Sequence, residues 1–261
     1  MSTTTGFHRL VLELGHGAAD PATILQAAAF ARLLDAELHA LFVEDEILLN
    51  NCALPFAREI SPLSFAWRPL RTDRLEVELK AAAGQARRHL EDAALATGVR
   101  QTFEVRRGDL ALQVAEICVA SDIMVVASPR RETTHGSRRW RDTAHQSAAA
   151  VLFLPPDAVR RRGCVVAVVT GPGDRSLPVA RSIATRAREK LMVLALPASR
   201  SEDGGVVRLL SAHSRDEIIA ALGDTEERLI VLTRAAGPTL AELGPVLAAA
   251  RCVPVLVIEP D

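Results

Sequence analysis

Gly15, His16 and Gly17 follow a first apolar run, Val43 closes a second, and Ser128, Arg130, Arg131, Gly136 and Ser137 follow a later one. If those runs are parallel strands, all of these residues lie at the carboxyl edge of a sheet. Open α/β sheets take ligands at that edge, and helix N-termini there favour phosphate. Five arginines fall between Arg130 and Arg141. Backbone amides and guanidinium groups so placed could retain an anion or a nucleotide. The competing reading of the arginines is a solvated basic loop. Trp140 among them is either an interface anchor or a ring packed under its own loop.

Covalent and metal chemistry find no matching constellation. Ser128 follows a strand as a hydrolase nucleophile would, but Pro129 and Arg130 stand where a strained elbow needs small residues, and there is no Gly-x-Ser-x-Gly. His16, His135 and His145 have no carboxylate or cysteine partner in sequence. Gly15-x-Gly17 with Glu44-Asp45 suggests a dinucleotide fingerprint, yet Asp20 occupies the third glycine position and its charge would oppose a pyrophosphate. Cys52, Cys118, Cys164 and Cys252 make no Cys-x-x-Cys pair and read as buried reduced thiols. The chain is expected to be neither an enzyme nor a metalloprotein.

The elements that must position these residues repeat. His8–Leu14 reads as a strand and Asp20-Pro21 as a helix start, with Asp as cap and Pro at the first helical position. Ile24, Leu25, Ala28 and Ala31 share a helical face, and Glu37–Val43 is a second strand. The same order returns as the strand Cys164–Val169, a helix carrying Val179 and Ile183, and the strand Leu191–Leu196. Asp122–Ser128 corresponds to Arg228–Arg234, each after a helix, one starting behind Asp109 and the other behind Ser214 with Glu217 at capping-box spacing. Each copy closes with an apolar strand stopped by proline, Val151–Leu154 and Pro254–Ile258. Continuous apolar strands alternating with helices indicate a parallel sheet covered on both faces.

The copies differ in length. Residues 46 to 70 of the first read as an irregular excursion holding Leu48, Leu49, Leu54, Phe56, Leu63, Phe65 and Trp67. They precede a long helix with Leu75, Leu79, Ala82, Ala86, Leu90 and Ala93 on one side and Gly98 at its end. The second copy has only a short stretch there and is read as lacking a helix. Domains are expected at 1–159 and 160–261, joined at Arg160–Gly163.

A length of 261 residues with 49% hydrophobic residues provides for two packed cores, and a net charge of −1 supplies no global field for nucleic acid or an anionic membrane. With no basic flank leading into an apolar core at the start and no run of membrane-spanning length, the expectation is a cytoplasmic protein.

The pattern resembles the universal stress proteins. It is carried by the first strand and its polar turn, the second strand ending Leu-Phe-Val43, Arg107-Gly-Asp109, and Ala115–Val126. The resemblance spans nearly the whole chain as a tandem. It implies two Rossmann-like, doubly wound five-stranded domains, the second smaller, paired through their last strands within the chain, with a homodimer as the further option. Nucleotide-binding members carry an aspartate after strand one and a glycine-rich loop after strand four. Here Gly15 and Thr170 stand near the aspartate position, Ala127 and Arg130 replace the loop glycines, and Gly136-Ser137 alone survives. The resemblance thus implies a stress-response regulator with eroded ATP sites that acts on an unidentified protein partner without a cofactor. The alternative is a sensor of ATP, AMP or phosphate using the first domain.

Overall fold

The structure is a computed structural model; it describes residues 6–15, 20–60, 65–127, 140, 142–144, 146–155, 162–171, 173–195, 206–211, 214–234 and 243–260. The first half of the chain runs β1 (Arg9–Glu13), α1 (Pro21–Leu34), β2 (Glu37–Asp45), α2 (Glu46–Cys52), β3 (Arg58–Ile60), β4 (Trp67–Pro69), α3 (Thr72–Thr97), β5 (Gln101–Gly108), α4 (Leu110–Ile117), β6 (Asp122–Ala127) and β7 (Ala150–Leu154). The second runs β8 (Cys164–Val169), α5 (Ser176–Ala187), β9 (Leu191–Ala195), β10 (Val206–Leu209), α6 (Arg215–Leu222), β11 (Glu227–Thr233), α7 (Leu243–Arg251) and β12 (Val255–Ile258).

Local chemistry starts and stops these elements. Asp20 accepts from the Ala22 amide at 3.3 Å, and Asp109 accepts from the Ala111 and Leu112 amides at 2.9 and 3.3 Å. Ser214 Oγ accepts from the Glu217 amide at 3.3 Å, while the Glu217 carboxylate accepts from the Ser211 amide at 2.7 Å. α1 and α5 end alike, each on a left-handed residue, Asp35 (φ 59°) and Arg188 (φ 56°), whose amide and the next one return to carbonyls of the last turn. The buried stripe of α1 is Ile24, Ala27, Ala28, Phe30, Ala31 and Leu34, so Leu25 turns to solvent; on α3 it is Ala83 rather than Ala82 that is buried. Both differences are one step around the helix, about 100°, and follow from where the sheet lies.

The two halves share one ten-stranded sheet in the order β5-β2-β1-β6-β7-β12-β11-β8-β9-β10. Pairing is parallel within each half, and β7 meets β12 antiparallel, with Phe153 opposite Val255, Leu152 opposite Leu256 and Val151 opposite Val257. All of β7 and β12 is buried, because both faces are covered. α1, α3 and α5 pack on one face, while α4, α6 and α7 pack on the other. At the seam α7 approaches closely: a carbon added at Gly244 would lie 2.6 Å from the Phe153 ring.

Residues 46 to 70 are more regular than a bare excursion. The side chain of Asp45 accepts from the Ile47 amide at 2.8 Å and starts α2, whose Leu49 and Cys52 are buried. β3 and β4 then form an antiparallel hairpin. Residues 156–161 and 196–205 lie outside the described residues, and with them most of the expected linker and the place where the second half is read as lacking a helix. Of the four free cysteines only Cys52 is buried; Cys252 is exposed in a left-handed turn after α7 (φ 51°). Among the described residues no helix is long and apolar enough to cross a membrane.

Candidate functional site

In each half the strand order reverses direction between the first and fourth strands, β1 and β6 or β8 and β11, and the crevice beyond their carboxyl ends is where a ligand would sit. Gly15 lies just past β1, beside the end of β2. Its amide donates to Glu13 Oε1 at 2.5 Å. A first side-chain carbon at position 15 would overlap that carboxylate and lie 3.3 Å from the Val43 carbonyl oxygen. Gly15 and Val43 are therefore brought together as neighbours, and Glu13 fills the space between them. His16, Gly17, Ser128, Arg130, Arg131, Gly136 and Ser137 lie outside the described residues.

Sequence reasoning missed Glu13, although a lone acid at the end of an otherwise apolar run was a usable signal. Burial pushes its carboxyl up to about 8, against the opposing pull of the Gly15 amide. The acids of the dinucleotide reading all have structural work. Glu44 accepts from Arg107 at 2.9 Å, while Asp45 and Asp20 cap α2 and α1. Trp140 is buried, 4% exposed, and its indole Nε1 donates to the Val125 carbonyl of β6 at 2.6 Å. It is a packed ring and not a surface anchor.

At the second crevice stands a carboxylate that composition and spacing did not single out. Asp174, in the turn from β8 to α5, accepts from the Thr170 amide at 2.7 Å and from Thr170 Oγ1 at 2.6 Å through one oxygen. Its other oxygen accepts from the Ser176 amide at 2.9 Å and from the hydroxyl of Thr233 at the end of β11. Burial is the largest single influence and works to raise its pKa, but these donors together outweigh it and hold Asp174 below the ordinary carboxylate value. Thr170, the residue near the aspartate position, thus gives two donors to a carboxylate four residues later.

The same edge ties the halves together. Arg234 donates to the Ser147 carbonyl at 3.1 Å and pairs with the Glu259 carboxylate. Partial burial, with Asp122 and Glu227 nearby, raises the thiols of Cys118 and Cys164 to about 11, so neither is a ready nucleophile at neutral pH. Among the described residues no group of three or more His, Cys, Asp or Glu side chains is placed to hold a metal ion.

No protein-family model matches the sequence, and no curated protein does. The fold has clear likenesses. A universal stress protein from Archaeoglobus fulgidus DSM 4304 superposes with a TM-score of 0.64 at 15% identity, over 95% of this chain and 96% of that one. A protein from Pseudomonas aeruginosa UCBPP-PA14 assigned to the universal stress proteins gives 0.58 at 14% identity, over 99% and 95%. The cytoplasmic domain of a prokaryotic cation chloride cotransporter gives 0.53 at 10% identity, over 96% and 95%. The chain has the Rossmann-like fold of the universal stress proteins along its whole length.

Proposed function

We propose, starting from that fold, that this chain is a non-catalytic, stress-response type regulatory protein that acts by binding a protein partner, with ligand crevices taken up by its own acidic side chains. The observation that carries the reading is Asp174. An anion at a strand-to-helix turn is held by backbone amides and hydroxyls, and here Thr170, Ser176 and Thr233 already give theirs to an internal anion. A phosphate would have to displace that carboxylate or lie against it, and like charges at such range repel. In the first half Glu13 takes the Gly15 amide as a carboxyl that stays protonated up to about pH 8, so it occupies space there without adding charge. Both features support the reading that these crevices no longer take a nucleotide.

Partner binding is supported by the hairpin. Glu59 and Arg68 pair across it at 2.5 Å on the side facing Arg74 of α3. Ile60 and Trp67 pair on the other side and are turned outward, with Trp67 64% and nearby Phe65 79% exposed. Exposed aromatic side chains of this kind are more common in interfaces than elsewhere on a surface.

The test is a thermal-shift titration of the full chain with adenosine, AMP, ATP and NAD. Ligand binding to the native state alone raises its stability. The expected result is no adenosine-dependent rise. A rise shared by adenosine, AMP and ATP and abolished by Arg130→Ala with Arg131→Ala would overturn the reading and make the chain an adenine-nucleotide sensor.

A further inference from the structure

The C-terminal ends of α1 and α5, corresponding helices of the two halves, approach each other across the seam, and between them lies a groove of about 540 Å³. Both helices end where the next strand begins, and Arg228 stands at the start of β11. The groove is thus formed where strands begin in each half, and none of its described lining residues belongs to the turns that follow β1, β6, β8 or β11. Arg32, Arg186 and Arg228 line it, with Asp35 as the one acid among the described residues; Leu33 and Ala187 add apolar wall.

Arginines near helix C-termini ordinarily need no explanation beyond the helix dipole. Here the carbonyls are already served. Those of Ala31 and Arg32 accept from the Ala36 and Asp35 amides at 2.9 and 3.3 Å, and those of Ala184 and Thr185 accept from the Glu189 and Arg188 amides at 2.9 and 3.2 Å. The Leu34 carbonyl takes Arg186 at 2.7 Å. Among the described residues Arg32 has no ion pair, and Arg228, with its side chain 21% exposed, has one, to Glu189 at 3.9 Å. Three arginines thus line one groove, facing Asp35 in its wall and Glu189 beside Arg228. The volume is that of a small-molecule site.

We propose that this groove binds a small phosphorylated molecule, its phosphate oxygens taken by Arg32 and Arg228 and its body resting on Leu33 and Ala187. Guanidinium groups match phosphate oxygens two at a time, which favours phosphate over a single-point anion. The site lies at the seam, so its occupant would touch both halves at once. This goes beyond the partner-binding reading and does not depend on it.

The experiment is isothermal titration calorimetry of the full chain with inorganic pyrophosphate at low ionic strength. The expected result is one site per chain, weakened about tenfold or more by Arg32→Glu and by Arg228→Gln and unchanged by Arg130→Ala with Arg131→Ala. Arg32 is exposed, so its variant should keep the parent's thermal midpoint and report on binding alone. No heat of binding, or binding lost only in the Arg130/Arg131 variant, would overturn the proposal. Because pyrophosphate carries no adenine, the result is distinguishable from the adenosine titration.

Discussion

The Glu13 carboxylate turns back onto the Gly15 amide at 2.5 Å, so the first strand ends by folding an acid into the space a side chain at position 15 would need. Its folded value of about 8 lies above the ordinary 4.5. Between those values the unfolded chain releases the proton and the folded chain keeps it. The contribution is complete below the ordinary value and is lost as pH rises through about 8. Wild-type stability should therefore fall by roughly 2–4 kcal/mol more than that of Glu13→Gln between about pH 5 and pH 9. Urea midpoints across that range measure it, and parallel curves would show that Glu13 is ionised in the fold.

Asp174 carries the opposite sign. Its value is depressed, so its stabilisation is present above the ordinary 3.8 and is lost as pH falls through the folded value. Asp174→Ala, which leaves two amides and two hydroxyls without their acceptor, should cost about 2–4 kcal/mol at pH 7. Asp174→Asn should cost less, and its gap from wild type should narrow in acid. Denaturant unfolding at pH 7 and pH 3 tests both; a loss under about 0.5 kcal/mol for the alanine variant would mean that water replaces the carboxylate.

Gly244 sets the distance at which α7 crosses the seam. The methyl of Gly244→Ala would meet the Phe153 ring at 2.6 Å and Val257 at 2.9 Å, so the substitution should destabilise by about 1–3 kcal/mol despite the gain in helix propensity. Phe153→Leu in the same chain should recover part of that loss. A double-mutant cycle by denaturant unfolding measures the coupling, and strict additivity would contradict the contact.

The two tryptophans should be spectroscopically separable. Trp67→Phe leaves Trp140, 4% exposed, with blue-shifted emission resistant to acrylamide, whereas Trp140→Phe leaves Trp67, 64% exposed, red-shifted and readily quenched. Trp140→Phe should also cost about 1–2 kcal/mol, because the Val125 carbonyl loses its indole donor.

The order of strands and helices was legible because it rests on local chemistry. Asp20, Asp109 and Ser214 cap helices by reaching amides two or three residues away, and the apolar runs of β1, β6, β8 and β11 declare buried parallel strands without reference to anything distant. The hairpin of β3 and β4 was not legible. Each strand has three residues, and its apolar pair, Ile60 and Trp67, faces outward, reversing the pattern by which strands are recognised.

The site was legible only as an edge. Gly15 and Val43 were placed there by strand position, but the acids that stand at the crevices, Glu13 and Asp174, were not. Glu13 acts through a turn that brings its own carboxylate back, and Asp174 acts through Thr233, 59 residues away. The groove between α1 and α5 depends on Arg186 reaching the Leu34 carbonyl, 152 residues away. By itself the sequence determined which segments become strands and helices and at which edge ligands would be sought, since periodicity and capping act within a few residues. Tertiary structure alone decided what occupies that edge and what lies at the seam, because those contacts exist only once β7 and β12 have paired and distant side chains share one volume.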